Sequence, residues 1–346
     1  MSAFTEHSVT YTANGEKELH YISAGPTEGQ LLIFIHGWPA IAKTWKHQLT
    51  AFANLGFRVV ALDMPGYGKS TVTRNLEDYS HEVIITGLLA LLKALGKEKA
   101  VWLGHDWGAG VVSSLAVVHP EVCQGIVLMA VPSHSLELGL EELLKTVNRD
   151  VYPESEYPFG QWDYQVYYER NFEEATAFFD KDIFGFTRAI YSKGKPANLG
   201  QPALTAKVVQ DGGWFGGAKE LPKMFHNIPI ENLVLDEELF HEVVAAMEKT
   251  GFWSANAYYM NHKLNREYNL QKGKNNAVLD FPVLFIEAKW DTVCATATST
   301  LADSMRQHCK QLTEVSIEAG HWVALDKPEE TNAAIAKWLA DEVKDS

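Results

Sequence analysis

The sequence predicts an α/β protein: a mostly parallel sheet flanked by helices, interrupted by a helical insertion and completed after it. Three observations carry that expectation. The runs LLIFI (31–35) and RVVAL (58–62) are apolar throughout, as strands covered on both faces must be, whereas a half-solvated strand would alternate. Helical stretches at 45–55 and 79–95 separate the later strand signals, the alternation from which a parallel sheet is built. From 134 to 272 convincing apolar strands disappear, and they resume only at 282–287.

In chain order, strand signals fall at 18–23, 31–36, 58–63, 100–104 and 125–131, the last ending at Pro132. An apolar segment without Pro runs from Ala109 to His119 and reads as a helix. Helices are then expected at 137–147, 161–179, 187–191, 236–249 and 254–268, strands at 282–287 and 313–317, and a last helix at 329–343. The 346 residues suit one catalytic core with a sizeable insertion. The expected division is a core of residues 1–133 and 273–346 with a helical cap of residues 134–272, lying as a lid over one end of the sheet. Thirteen of the 39 aromatic residues crowd into 152–191, enough to build the cap's own core and to line an apolar pocket beneath it. The run DGGWFGG (211–217) does not lie between a strand and a helix, so it reads as a flexible cap loop and not as a phosphate cradle.

Composition narrows the partners. Apolar residues make up 46% and charged residues 21%, an ordinary globular balance. A net charge of -14 speaks against nucleic acid and against an anionic membrane surface, both of which select clustered Lys and Arg. The N-terminal stretch shows no basic region followed by an apolar one, no apolar run reaches membrane length, and the terminal KDS is not the peroxisomal SKL. Cys123, Cys294 and Cys309 are scattered and odd in number, which suits reduced thiols and neither a disulfide framework nor a metal site. The expectation is a cytoplasmic protein without membrane insertion, acting on a small neutral molecule and needing no cofactor or metal. A homodimer is left open.

The chemistry is expected at VWLGHDWGA (101–109), where a short strand meets a helix through Gly104, Asp106 and Gly108. This is the spacing of a nucleophile elbow, G-x-S-x-G, with aspartate in the serine position. Glycine is needed on both sides because strand and helix approach too closely for a Cβ. The plainer reading is an aspartate that caps the helix beginning at Trp107. An elbow nucleophile requires an acid and then a histidine later in the chain. PVLFIEAKWD delivers Asp291 just past one strand, and TEVSIEAGHW delivers His321 just past another. FIHGWP (34–39) also follows a strand, which assigns the backbone N–H groups of Trp38 and Trp107 to an oxyanion hole. The Trp38–Pro39 peptide is a candidate for the cis form.

Aspartate restricts the reaction. Its carboxylate is charged at neutral pH and attacks without a base. Attack on an acyl carbon would give an anhydride, so a saturated carbon bearing a leaving group is the better target. The resulting ester on Asp106 persists until His321, oriented by Asp291, activates water. A halide leaves with help from N–H donors alone, whereas an epoxide oxygen leaves as a basic alkoxide and needs an acid such as tyrosine.

HGWP (36–39), DMPGYGKS (63–70), GHDWGA (104–109), DYQVYY (163–168) and GHWVALDKPEE (320–330) together resemble the soluble epoxide hydrolases of the α/β-hydrolase fold, over nearly the full chain. The resemblance implies hydrolysis of a small apolar epoxide to a vicinal diol, with two cap tyrosines donating to the epoxide oxygen. Carried over by position these are Tyr164 and, in SANAYYMNH, Tyr258, with Tyr259 beside it. Adjacent helical residues point about 100° apart, so only one of that pair should face the pocket. Tyr167 and Tyr168 share a helical face with Tyr164 and are its substitutes. Ala109 stands where many members of the family carry Gly, a change with no consequence for the chemistry. Haloalkane dehalogenases resemble the chain as well, but often carry Asn in an HGNP run where this chain has HGWP; Trp162 or Trp214 would have to replace that donor. Fluoroacetate-type dehalogenases favour Arg after the nucleophile. A non-catalytic hydrolase-fold receptor would be expected to show a degraded triad.

Overall fold

The structure, a computed structural model, describes residues 4–343; the first three residues of the N-terminal stretch and the terminal KDS lie outside the described residues. Its sheet has eight strands: β1 (Thr5–Thr12), β2 (Glu16–Ala24), β3 (Leu31–Ile35), β4 (Arg58–Leu62), β5 (Ala100–His105), β6 (Cys123–Met129), β7 (Leu279–Ala288) and β8 (Cys309–Ile317). Their order is β1-β2-β4-β3-β5-β6-β7-β8. β2 pairs antiparallel with β1 and β4, and every pair from β4 to β8 is parallel.

Strand periodicity sorts the core into two layers. Leu31, Ile33 and Ile35 of β3 join one apolar cluster, while Leu32 and Phe34 join the other. Helices α1 (Lys46–Asn54), α2 (His81–Ala94) and α3 (Trp107–Val118) follow β3, β4 and β5 in turn. α2 and α3 cover the first face through residues such as Ile84, Leu88, Val112 and Leu115. On the second face lie Leu49 and Phe52 of α1, with Ile335 and Trp338 of the last helix.

Between β6 and β7 come α4 (Leu140–Lys145), α5 (Asp163–Arg170), α6 (Phe172–Asp180), α7 (Ile183–Ile190), α8 (Val208–Asp211), α9 (Trp214–Gly217), α10 (Glu237–Thr250), α11 (Phe252–Ala257) and α12 (His262–Lys272). α13 (Asp303–His308) precedes β8, and α14 (Val323–Asp326) and α15 (Pro328–Glu342) follow it. The segment of α4 to α12, read here as the cap, rests on loops at the carboxyl ends of the strands. Tyr191 donates to the carbonyl of Pro39, the Ser254 hydroxyl donates to that of Gly66 at 2.7 Å, and the Trp322 indole donates to that of Ile190 at 2.7 Å. No helix among the described residues is long and apolar enough to cross a membrane.

Some elements differ from the sequence expectations. β1 was not foreseen: TEHSVTYT is mostly polar, because this edge strand lays only Tyr11 fully into the core. The signal that could have found it is the Asn14–Gly15 pair in the turn to β2, where both residues take positive φ. The helix expected at 161–179 breaks at Asn171, which has φ -138 and ψ 43 and separates α5 from α6. The helix expected at 137–147 begins only after Gly139, at φ 89. The one expected at 254–268 is two helices joined by a tight 3-10 turn, Tyr258–Asn261. Within DGGWFGG the chain makes α8's end and the short turn of α9, and Trp214 is buried. No peptide bond among the described residues is cis, that of Trp38–Pro39 included.

Candidate active site

The junction of β5 and α3 is an elbow. Asp106 sits between them at φ 54 and ψ -124, a conformation L-residues avoid and surrounding packing must enforce. The packing is visible at the flanking glycines. A Cβ on Gly104 would lie 2.5 Å from the carbonyl oxygen of Gly108, and one on Gly108 only 2.2 Å from that of Ile35. The helix therefore begins hard against β3 and β5, and Asp106 is thrown clear of the sheet edge. Its side chain accepts no hydrogen bond from its own helix, so the capping reading does not describe it.

Two loops meet that carboxylate. After β3, the backbone N–H of Trp38 donates to Asp106 Oδ1 at 2.7 Å. His36 braces this loop: its Nδ1 lies 2.9 Å from the carbonyl of Gly37, and its Nε2 accepts from the Met64 N–H at 3.0 Å. The Trp38 indole turns the other way and donates to Asn256 Oδ1 at 3.0 Å, tying the loop to the cap. Trp107 opens α3, where backbone N–H groups have no partner within the helix.

From the far side comes His321. Its Nε2 stands 3.5 Å from Asp106 Oδ2, and its Nδ1 is 2.6 Å from Asp291 Oδ2. Asp291 is buried and fixed in turn, its Oδ1 accepting from the N–H groups of Val293 and Cys294 at 2.9 and 3.0 Å. His105 holds the backbone in place, its Nε2 lying 2.7 Å from the carbonyl of His321. Asp106, Asp291 and His321 thus converge from three separate parts of the sequence.

The electrostatics divide by role. Burial alone would raise the Asp106 pKa, but the hydrogen bond and charge of His321, together with the Trp38 N–H, hold it below the usual carboxylate range. Burial alone would lower that of His321, yet the charges of Asp291 and Asp106 carry it well above its ordinary value. His105 is pushed down to about 4 by burial and by His321, so it stays neutral.

Above the carboxylate is a cleft enclosing about 920 Å³ out to its mouth, into which Asp106, His321, Tyr164, Tyr259, Trp214 and Phe215 project. Its remaining walls are largely apolar. Tyr164 and Tyr259 are buried, and burial followed by nearby charge or phenol raises both, so each keeps its proton at neutral pH. The Gln165 amide donates to the Tyr164 oxygen at 2.9 Å, leaving the phenol's own proton to point elsewhere.

Tyr258, expected in this role, is elsewhere. Its hydroxyl donates to the carbonyl of Pro65 at 2.8 Å and its ring packs 5.6 Å from that of Tyr79. The cause is local: within the 3-10 turn Tyr258 and Tyr259 point in different directions, and only Tyr259 reaches the cleft, 5.6 Å from the Tyr164 ring. Tyr167 and Tyr168 do not line it. Sequence reasoning also missed His36, His105, Gln165 and Asn256, although each stands inside a stretch already singled out: HGWP, GHDWGA, DYQVYY and SANAYYMNH.

A family model described as the alpha/beta hydrolase fold matches residues 30–187, which contain the elbow. The chain has the alpha/beta hydrolase fold. The chain is 29% identical to epoxide hydrolase A of Mycobacterium tuberculosis, covering 98% of both chains. It is 28% identical to bifunctional epoxide hydrolase 2 of Sus scrofa over 94% of its own length. It spans only about half of that relative, 54%. Among solved structures, epoxide hydrolase A of Mycobacterium thermoresistibile superimposes with a TM-score of 0.76 and 26% identity, over 99% of this chain and 100% of the other.

Proposed function

We propose that this alpha/beta hydrolase is an epoxide hydrolase, opening an apolar or aromatic epoxide to a vicinal diol through a covalent ester on Asp106. The observation that carries the reading is a carboxylate, not a hydroxyl, 3.5 Å from a histidine Nε2 and facing two protonated phenols across an apolar cleft. The named relatives point to the same chemistry. Asp106 Oδ2 attacks an epoxide carbon, the carbon–oxygen bond breaks, and the departing oxygen takes a proton from Tyr164 or Tyr259. That proton is replaced through solvent at the expense of the His321 imidazolium, which loses its partner's charge as Asp106 becomes an ester. Neutral His321 then takes a proton from water, and the hydroxide adds to Cγ of Asp106. Oδ1 becomes the oxyanion, held by the Trp38 N–H and assisted by that of Trp107. Collapse releases the diol with a proton from His321, and proton transfer from the new carboxylic acid restores the ion pair.

Halide displacement would need indole or amide N–H donors turned into the cleft; the Trp38 indole is committed to Asn256, whereas Trp214 lines the cleft with its indole N–H unpartnered, so the product assay separates the two chemistries. The experiment measures diol from styrene oxide against halide from a bromoalkane. Asp106→Asn should abolish turnover, and His321→Gln should trap an alkyl-enzyme visible as a mass increase of one substrate. Halide without diol, or no adduct in the trap variant, would overturn the reading.

A further inference from the structure

We infer that Asp291, Cys294 and His321 form an inhibitory site for a thiophilic divalent cation of the Zn2+ type. The three side chains bring one oxygen, one sulfur and one nitrogen donor within 4.8 Å of one another, the one such group of three found among the described residues. Carboxylate, thiolate and imidazole are the donors zinc takes, at about 2.0–2.3 Å. Donors around a single ion then stand roughly 3.3–3.8 Å apart, so Asp291 Oδ2 and His321 Nδ1, now 2.6 Å apart, must open to admit the ion while Cys294 Sγ closes on it by at most about 1 Å, both within reach of side-chain rotation.

The loop after β7 prepares the site. Asp291 Oδ1 accepts from the Cys294 N–H, which pins that residue beside the carboxylate. Cys294 is buried, and burial followed by the Asp291 charge pushes its thiol up to about 12, so it is unreactive alone. A bound dication reverses that preference by displacing the proton. A second observation lies next to it. Cys294, Asp106, Tyr164 and Gln165 line one small cavity, and the Gln165 Oε1 is buried with no hydrogen-bond partner.

Binding is balanced as an exchange: the ion forms bonds to Sγ, Nδ1 and Oδ2, while the thiol and the Nδ1 position of the imidazolium each release one proton to solvent. Affinity therefore rises with pH. His321 keeps its proton on Nε2 and can no longer accept one from water, whereas Asp106 remains free to attack. The inhibition, though not the binding, rests on the epoxide hydrolase reading.

The test titrates the full-length protein with Cd2+ alone and follows the ultraviolet sulfur-to-metal charge-transfer band. One ion per chain should bind, and Cys294→Ala should remove the band and weaken affinity by at least about tenfold, the loss that even outer-shell changes produce. Cys294→Ser, which keeps the side-chain volume, should do the same. With styrene oxide, Zn2+ or Cd2+ should halt turnover after one equivalent, leaving alkyl-enzyme. A missing band in the wild type, or one undiminished in both variants, overturns the site; a bound ion that leaves turnover unchanged overturns the inhibition. Absence of diol without any metal would instead sink the epoxide reading, and the band would still report on the site.

Discussion

At neutral pH Asp106 and His321 each hold the other in its charged form, and in the proposed mechanism alkylation of Asp106 would end that arrangement. The resting imidazolium is stabilised by two carboxylates, that of the alkyl-enzyme by Asp291 alone. Acid should therefore separate the half-reactions. Alkylation needs ionised Asp106, which is held below the usual carboxylate range and survives mild acidity. Ester hydrolysis needs neutral His321, which mild acid removes. Rapid-quench mass spectrometry should show alkyl-enzyme accumulating at pH 5 and not at pH 8; equal levels would break the link. The two neighbouring tyrosines allow a sharper comparison. Tyr259→Phe removes a phenol facing the carboxylate and should slow epoxide opening by about 10²–10⁴-fold. Tyr258→Phe leaves the Pro65 carbonyl short of a donor and should cost about 1–3 kcal/mol of stability with turnover little changed. The opposite ranking would return the role to Tyr258.

At the scale of elements, the elbow shows what a sequence discloses and what it withholds. Gly104, Asp106 and Gly108 are legible because sterics leave few alternatives at a turn this tight, and the same holds for strands such as LLIFI that are buried on both faces. Gly108→Ala should accordingly be severe. Its Cβ would meet the backbone oxygen of Ile35 at 2.2 Å, which no side-chain rotation relieves, so a loss beyond the usual 1–3 kcal/mol of overpacking is expected in urea denaturation. Folding with unaltered stability would mean that α3 can slide. Tyr258 and Tyr259 mark the other limit. Which of two adjacent tyrosines faces the cleft depends on one 3-10 turn set by tertiary packing, not by spacing. β1 was hidden for a related reason: an edge strand with one buried ring carries little hydrophobic pattern, and only its turn residues betray it.

For the whole molecule the governing feature is a set of buried, neutral histidines between the sheet's helices and the cap. Burial pushes His81 down to about 3 and His105, His134 and His262 to about 4. The His81 backbone N–H donates to Asn265 Oδ1 of α12 at 2.8 Å, and His134 Nε2 lies 2.8 Å from the carbonyl of Ala277, so these residues sit where the α4–α12 segment meets the core. Each folded pKa is depressed, so below about 6.5 the unfolded chain binds more protons than the folded one. Stability from these groups is present above that pH and is lost as pH falls toward 4, by up to about 1.4 kcal/mol per pH unit for each histidine. His321 works in the opposite sense, its contribution being greatest in acid and lost as pH rises through its elevated pKa. Glu137, raised to about 7 by burial, and Asp163, raised to about 6, act in the same sense as His321; the four histidines still outweigh these groups, and urea denaturation should show stability falling between pH 7.5 and 5. His262 isolates the cause, since neither ring nitrogen has a partner and the ring packs 5.6 Å from that of Trp107. His262→Phe removes one titrating group without stranding a hydrogen bond. It should leave stability at pH 7.5 nearly unchanged and reduce the proton uptake on unfolding at pH 5 by about one proton; an unaltered uptake would show that this ring is already charged in the folded protein.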